Sequence, residues 1–300
     1  MATIVCVGLA CLDNLFRVAK LPAGGGKFFA EKYVAAPGGP AATAAITVSA
    51  LGHDAVFLGR LGDDTAGHSL LATLSGTGVD TSHVRLLPGH CSQVSSVVID
   101  HFGERQIINF SSPRLAPDPS WLPADIIASA DFLLVDVRWP EGAKKALEIA
   151  AAGNVASLID ADLAPVDTSP LIGLASYAVF SEGGLSRYTG TSAIGEGLFR
   201  ARQKSGCWVA VTAGEQGSFR LTTDGGLVRC PAASVDVVDT CGAGDVYHGA
   251  LAVALVEQME IDAAMRFATV AAALKCTTFG GSLGVADRAV VDRYRAATGR

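Results

Sequence analysis

The chain has 300 residues, 50% of them hydrophobic and 17% charged, with a formal charge of −6. That balance describes a globular chain with a sizeable core, in one large α/β domain or two small ones, and excludes a general nucleic-acid or membrane-surface role. Seven scattered cysteines, with no Cys-x-x-Cys pair, argue against a disulfide framework and a zinc site and point to a reducing cytoplasm. No apolar run reaches membrane-spanning length, and residues 4–12 lack the positive flank of a signal peptide.

In chain order, residues 4–10 read as a central strand, buried on both faces because its apolar residues do not alternate. Asp13 follows at its carboxyl end. Residues 15–36 hold short alternating pieces (Phe16 and Val18; Phe28, Ala30 and Tyr33) broken by Pro22 and the glycines 24–26. They predict two exposed strands of a small accessory sheet. Pro37-Gly38-Gly39-Pro40 leads into an alanine-rich helix over 41–51 that Gly52 stops, followed by a strand over 55–61 and a helix over 66–75. Segments 93–100 and 105–110 predict a hairpin that completes the accessory sheet.

Beyond the hairpin, strands over 132–135, 156–159, 178–180 and 208–212 follow, with a helix over 142–151. Segments 219–221 and 227–230 predict an antiparallel edge, and helices over 243–257, 261–276 and 286–297 close the chain. Alternating strands and helices imply a mostly parallel sheet covered on both faces. Ligands bind such sheets beyond the carboxyl ends of the strands, where Asp13, Arg138 and Asp245 are expected to converge.

The stretch 235–246, Val-Asp-Val-Val-Asp-Thr-Cys-Gly-Ala-Gly-Asp-Val, carries the chemistry. Val235, Val237 and Val238 predict a strand end, Asp239 and Thr240 turn the chain, and Gly242-Ala243-Gly244 opens a helix. Small residues at a helix start let backbone amides approach an anion, which the helix dipole also favours. A carboxylate there repels phosphate, so Asp245 is better suited to taking the proton from a hydroxyl that attacks phosphorus. The plainer alternative is an ordinary strand-to-helix turn with Asp245 as a dipole partner.

The order Asp-Thr-x-Gly-Ala-Gly-Asp over 239–245 resembles the C-terminal signature of the ribokinase-like (PfkB) carbohydrate kinases, and the resemblance extends from about residue 4 to 284. It implies a three-layer α/β/α fold with a mostly parallel central sheet and a small β-sheet lid. The chain would then be one domain over 1–300, its lid formed by about 13–36 and 92–111. ATP and Mg²⁺ are the implied cofactors, a small-molecule sugar the implied partner, and a homodimer through the exposed apolar lid face (Phe28, Tyr33, Val97) the implied assembly. Asp245 would be the base, with Gly242, Ala243 and Gly244 donating amides to the transferred phosphoryl group. Asp13, Gly38 and Gly39 match the family's sugar-binding positions; an Asx turn is the alternative for Asp13. Thr212, Gly214 and Gly217 match its Thr-x-Gly-x-x-Gly, and with Asp239, Thr240, Thr277 and Gly281 would surround the nucleotide; for the region of Thr277 and Gly281 a core role is the alternative.

Two positions depart from the family pattern. Thr43 stands where an asparagine usually touches the sugar. Ser181-Glu182-Gly183-Gly184 stands where the family's Asn-x-x-Glu serves magnesium, leaving Glu182 as a partial substitute. Both departures are shared with one branch, the sulfofructose kinases, which this chain is also similar to over 38–45, 136–139, 142–146 and 273–277. In that branch a lysine, an asparagine and an arginine hold the sulfonate; they match Lys27, Asn109 and Arg138, charge-assisted donors suited to a tetrahedral anion. Three solvated surface residues is the plain alternative. The resemblance implies phosphorylation of 6-deoxy-6-sulfofructose at O1. Fructose 6-phosphate, fructose and ribose are the alternatives among kinases, and a non-catalytic sugar or nucleotide sensor is the alternative outside them.

Three apparent motifs fail. Gly26-Lys27 is no P-loop, with Leu21 at the first glycine position and Phe28 at the hydroxyl position. Gly280-Gly-Ser282-Leu-Gly284 mimics a nucleophile elbow, but no histidine follows it. No Gly-x-Gly-x-x-Gly follows the first strand.

Overall fold

The computed structural model describes every residue except 113, 114, 116, 165 and 300. The first part of the chain forms β1 (Thr3–Gly8), β2 (Cys11–Arg17), β3 (Lys32–Gly38), α1 (Pro40–Ala50), β4 (Asp54–Gly62) and α2 (Thr65–Gly76). Then come β5 (Arg85–Leu87), β6 (Gln93–Ile99), β7 (Arg105–Phe110), α3 (Ala124–Ala128), β8 (Phe132–Asp136), α4 (Pro140–Ala152) and β9 (Ser157–Ala161). The remainder forms α5 (Ser169–Ile172), β10 (Tyr177–Ser181), α6 (Glu182–Thr189), α7 (Ile194–Ser205), β11 (Trp208–Thr212), β12 (Ser218–Leu221), β13 (Leu227–Cys230), α8 (Ala243–Val256), α9 (Ile261–Lys275) and α10 (Arg288–Thr298).

The runs that do not alternate become the interior of a nine-stranded sheet, ordered β13-β12-β11-β10-β9-β8-β1-β4-β5. All its pairings are parallel except those of β12 with β11 and β13. Successive side chains of one strand enter opposite cores. Ile4 and Cys6 of β1 pack in the layer of α1, α2, α8 and α9, while Val5 and Val7 pack with α4, α6 and α7. This is the expected α/β/α arrangement. Among the described residues no helix is long and apolar enough to cross a membrane.

A second sheet, ordered β3-β2-β6-β7, forms the lid, with β6 and β7 paired as the predicted hairpin. Its inner face carries Leu15, Ala36, Val97 and Ile99, which pack on Cys241 and Phe279. The structure corrects the outer face. Val97 is 1% exposed and points inward. Its neighbour Val98 shares the outer face with Phe16 and Tyr33, because the register pairs Leu15 with Val97 and Phe16 with both Val98 and Tyr33. Phe28 lies on the connection between β2 and β3, not on a strand.

Three further expectations change. Asp13 lies within β2, whose pairing with β3 and β6 begins at Cys11, instead of trailing β1. Residues 235–238 form no strand: the amides of Val238 and Asp239 both donate to the Cys276 carbonyl after α9, so no sheet neighbour is available to them. The sequence reading also passed over β5 and the helices α3, α5, α6 and α7.

Candidate active site

The start of α8 is built by one glycine. Gly242 caps the helix with φ 78°, a left-handed conformation that a side chain disfavours. The amides of Gly242, Gly244 and Asp245 find no acceptor among the described residues, so this positive helix end is open to an anion. The expected trio is amended: the Ala243 amide closes a turn onto the Thr240 carbonyl at 3.3 Å. Asp245 stands beside these amides, on the first turn of α8. Burial, and then the carboxylates of Asp160, Asp162 and Asp136, raise the proton affinity of its carboxyl above the usual carboxylate range, against the opposing pull of His248. A carboxylate of raised proton affinity is better matched to accepting an alcohol proton.

Asp239, expected beside the nucleotide, is a buried staple. It is 0% exposed. Its carboxylate accepts from the amides of Cys241 (2.8 Å), Gly280 (3.1 Å) and Gly281 (2.9 Å). Lys275, equally buried, lies 3.3 Å from the same carboxylate and donates to the Asp239 carbonyl at 2.8 Å. The Gly281 amide is therefore spent inside the protein. Thr240 Oγ1 accepts from Arg105 of the lid, and Arg17 of the lid donates to the Val238 carbonyl at 3.0 Å. Lid and anion loop are thus tied together. Thr277 is exposed at the end of α9, its hydroxyl donating to Leu274. Thr212 ends β11, and Gly214 and Gly217 form the turn into β12.

On the inner face of the lid, sheet register gathers three polar residues in one row. Asp13 pairs with Ser95, and Ser95 with Asn109, so all three share the lid's inner face. Ser95 Oγ donates to Asp13, and Cys11 Sγ donates to it at 3.2 Å. Burial raises the Asp13 carboxyl against these two bonds. Its carboxylate rests against Gly38, and Gly39 follows as the cap of α1. No Asx turn is involved, because Asp13 is a paired strand residue. Thr43 is 2% exposed, in the floor under Gly242.

Arg138 follows β8 and is ion-paired to Asp162. Its amide donates to Asp136 at 2.7 Å, as do those of Leu9 (2.7 Å) and Ala41 (3.0 Å). Asp136 therefore clips together the ends of β1 and β8 and the start of α1. Asn109 is exposed on β7; Lys27 is exposed on the β2–β3 connection, where no ion pair holds it among the described residues.

The altered Asn-x-x-Glu has a structural reason. Ser181 caps α6 by accepting the Gly184 amide at 3.0 Å. A Cβ on Gly184 would lie 2.1 Å from the Ala161 carbonyl, so no glutamate fits there. Glu182 opens α6 and is exposed. A single hard oxygen donor fits Mg²⁺, which keeps most of its waters and is held largely by substrate phosphates.

Sequence reasoning missed Ser95, Asp136, Asp160, His248 and Lys275. The available signal was a charge inside an apolar run: Asp136 ends one strand and Asp160 is the last residue but one of another, each strand buried along its whole length.

Residues 1–288 match the model of the pfkB family carbohydrate kinases. The ribokinase of Bacillus subtilis (strain 168) is 28% identical over 299 residues, covering 97% of this chain and 99% of that protein. A provisionally named ribokinase from Agrobacterium tumefaciens superposes with a TM-score of 0.95 at 38% identity, over 100% of this chain and 99% of the other. The Arabidopsis thaliana ribokinase, solved with ribose and ATP, gives 0.84 at 25% identity, over 97% and 98%. With Asp245 and the open amides of α8 at the carboxyl edge of the sheet, under a β lid, this chain belongs to the pfkB family and is an ATP-dependent carbohydrate kinase.

Proposed function

We propose that this kinase phosphorylates an anionic ketohexose, 6-deoxy-6-sulfofructose at O1, from ATP. The observation that carries the reaction is the Asp245 carboxylate standing beside unsatisfied amides at the mouth of α8. Asp245 takes the hydroxyl proton as the sugar oxygen forms its bond to the γ-phosphorus. The bond from that phosphorus to the bridging oxygen breaks, and its electron pair leaves with ADP. The amides of Gly242 and Gly244 face the charge that develops on the transferred group. Glu182 is the residue that would hold Mg²⁺, which would supply charge neutralisation to the phosphate oxygens. Asp13 and Ser95 on the lid hold the sugar, and Thr212, Gly214 and Thr277 border the nucleotide.

The anion preference rests on Asn109, which shares the inner lid face with Asp13, and on Lys27 and Arg138 at the positions that hold a sulfonate in the sulfofructose-kinase branch. Arg138 already binds one carboxylate, that of Asp162, and a bidentate guanidinium can exchange that partner for a sulfonate. ADP release is measured with 6-deoxy-6-sulfofructose, fructose 6-phosphate, fructose and ribose. The sulfonate sugar is expected to give the highest kcat/KM. Arg138→Ala is expected to lower kcat/KM for the two anionic sugars by about 10- to 100-fold, the loss of a charge-assisted hydrogen bond worth about 1.5–3 kcal/mol, and to leave fructose nearly unchanged. An equal loss on fructose contradicts the anion site.

The lid also supports a homodimer. Tyr33 is 56% and Ile108 75% exposed on its outer face, where the tilted rings of Phe16 and Tyr33 lie 5.1 Å apart. Light scattering on the sized protein is expected to give twice the chain mass, and Ile108→Lys to give the monomer. A wild-type monomer at working concentration removes the dimer.

A further inference from the structure

His248 and Asp160 form a buried charged pair that the reaction above does not use. His248 is 4% and Asp160 3% exposed, and His248 Nδ1 lies 3.2 Å from Asp160 Oδ2. Neither ring nitrogen makes an aligned hydrogen bond. His248 is three residues after Asp245 on α8, so both project from one helix face. One ring nitrogen of His248 and one carboxylate oxygen each of Asp160 and Asp245 lie within 4.8 Å of one another.

The charges around this ring come from every element packed on it. Asp245 faces it from α8, Asp160 from β9, and Asp162 from the segment just after β9; Asp136 of β8 adds to the field at Asp245, and Arg138 is ion-paired to Asp162. Burial pulls the imidazole toward its neutral form, but Asp160, Asp245 and Asp162 outweigh it and raise its proton affinity. A neutral ring here would leave two carboxylates facing each other without a countercharge.

We propose that His248, held by Asp160, is a positioning residue whose imidazolium keeps the Asp245 carboxylate ionised and aimed at the acceptor hydroxyl. The inference rests on Asp245 being the base. Like charges crowd Asp245 from the sheet, and the imidazolium is the cation among them. Losing it makes Asp245 protonate at higher pH, so the enzyme falters first on the acid side.

The test is the pH profile of kcat/KM for wild type and His248→Asn, with the best of the four sugars above. The acid limb of the variant is expected to move up by about one pH unit or more, a loss of about tenfold on the acid side of the limb that shrinks as pH rises. A loss uniform across pH means a purely structural histidine and overturns the proposal. Should the variant fail to fold, NMR titration of the wild-type imidazole decides: His248 is expected to stay protonated beyond about pH 6.5, the ordinary midpoint, and a ring neutral below it overturns the idea. Asp160→Asn is expected to lower that midpoint. The two failures are distinct, since a turning-over Asp245→Asn enzyme defeats the base assignment, whereas an inactive one with an unmoved His248→Asn limb defeats only the role of His248.

Discussion

Asp245→Asn is expected to lower kcat by about 10²–10⁴-fold, the range that a positioned general base supplies, while ATP still binds with nearly its wild-type affinity. The asparagine keeps the shape of the side chain and cannot take a proton. The amides of Gly242, Gly244 and Asp245 are backbone groups that the substitution leaves in place, so phosphate binding persists. The crowd of carboxylates on the sheet sharpens the separation. Burial, and then Asp160, Asp162 and Asp136, already raise the proton affinity of Asp245, and a neutral residue relieves that repulsion. Calorimetric titration with nucleotide and steady-state ADP release measure the two halves. Retained turnover would take the reaction away from Asp245, and a parallel loss of ATP binding would make the residue a structural support of the loop.

The sequence exposed the parts of this site that are local. A glycine that must adopt positive φ, followed within three residues by a carboxylate at a helix start, is written in consecutive positions, and Gly242 and Asp245 stand where that order places them. The alternating and non-alternating apolar runs likewise separated lid from core. What stayed hidden depends on partners distant in sequence. Whether Val97 or Val98 faces inward is decided by the register with β2, and a shift of one residue exchanges the faces. Val235–Val238 has the apolar spacing of a strand, but its neighbour is a helix end, so the pattern had no sheet to join. His248 on a helix rich in alanine and valine reads as a core histidine until β9 brings Asp160 to it. Lys275 reads as a cation suited to a helix C-terminus, and only the fold buries it against Asp239.

That burial makes Lys275→Met the substitution expected to cost the most stability. Methionine fills the volume of the lysine stem, so packing changes little. The Asp239 carboxylate, however, keeps its place in the interior with three amides and loses its countercharge. Breaking a buried pair from one side costs about 3–5 kcal/mol, a large share of the roughly 5–15 kcal/mol that holds a domain folded. Urea unfolding is expected to show a lower midpoint at an unchanged slope, the signature of a stability change. The damage is directed at function as well, since Asp239 ties the loop before Gly242 to the loop carrying Gly280 and Gly281, and the lid is bonded to that same loop through Arg17 and Arg105. Asp239→Asn combined with Lys275→Met removes both charges, so the double variant is expected to recover part of the loss, with the recovery read as the coupling term of a double-mutant cycle. Independent, additive losses would show that Lys275 acts without its pairing to the Asp239 carboxylate and that the ion pair does not hold the anion loop.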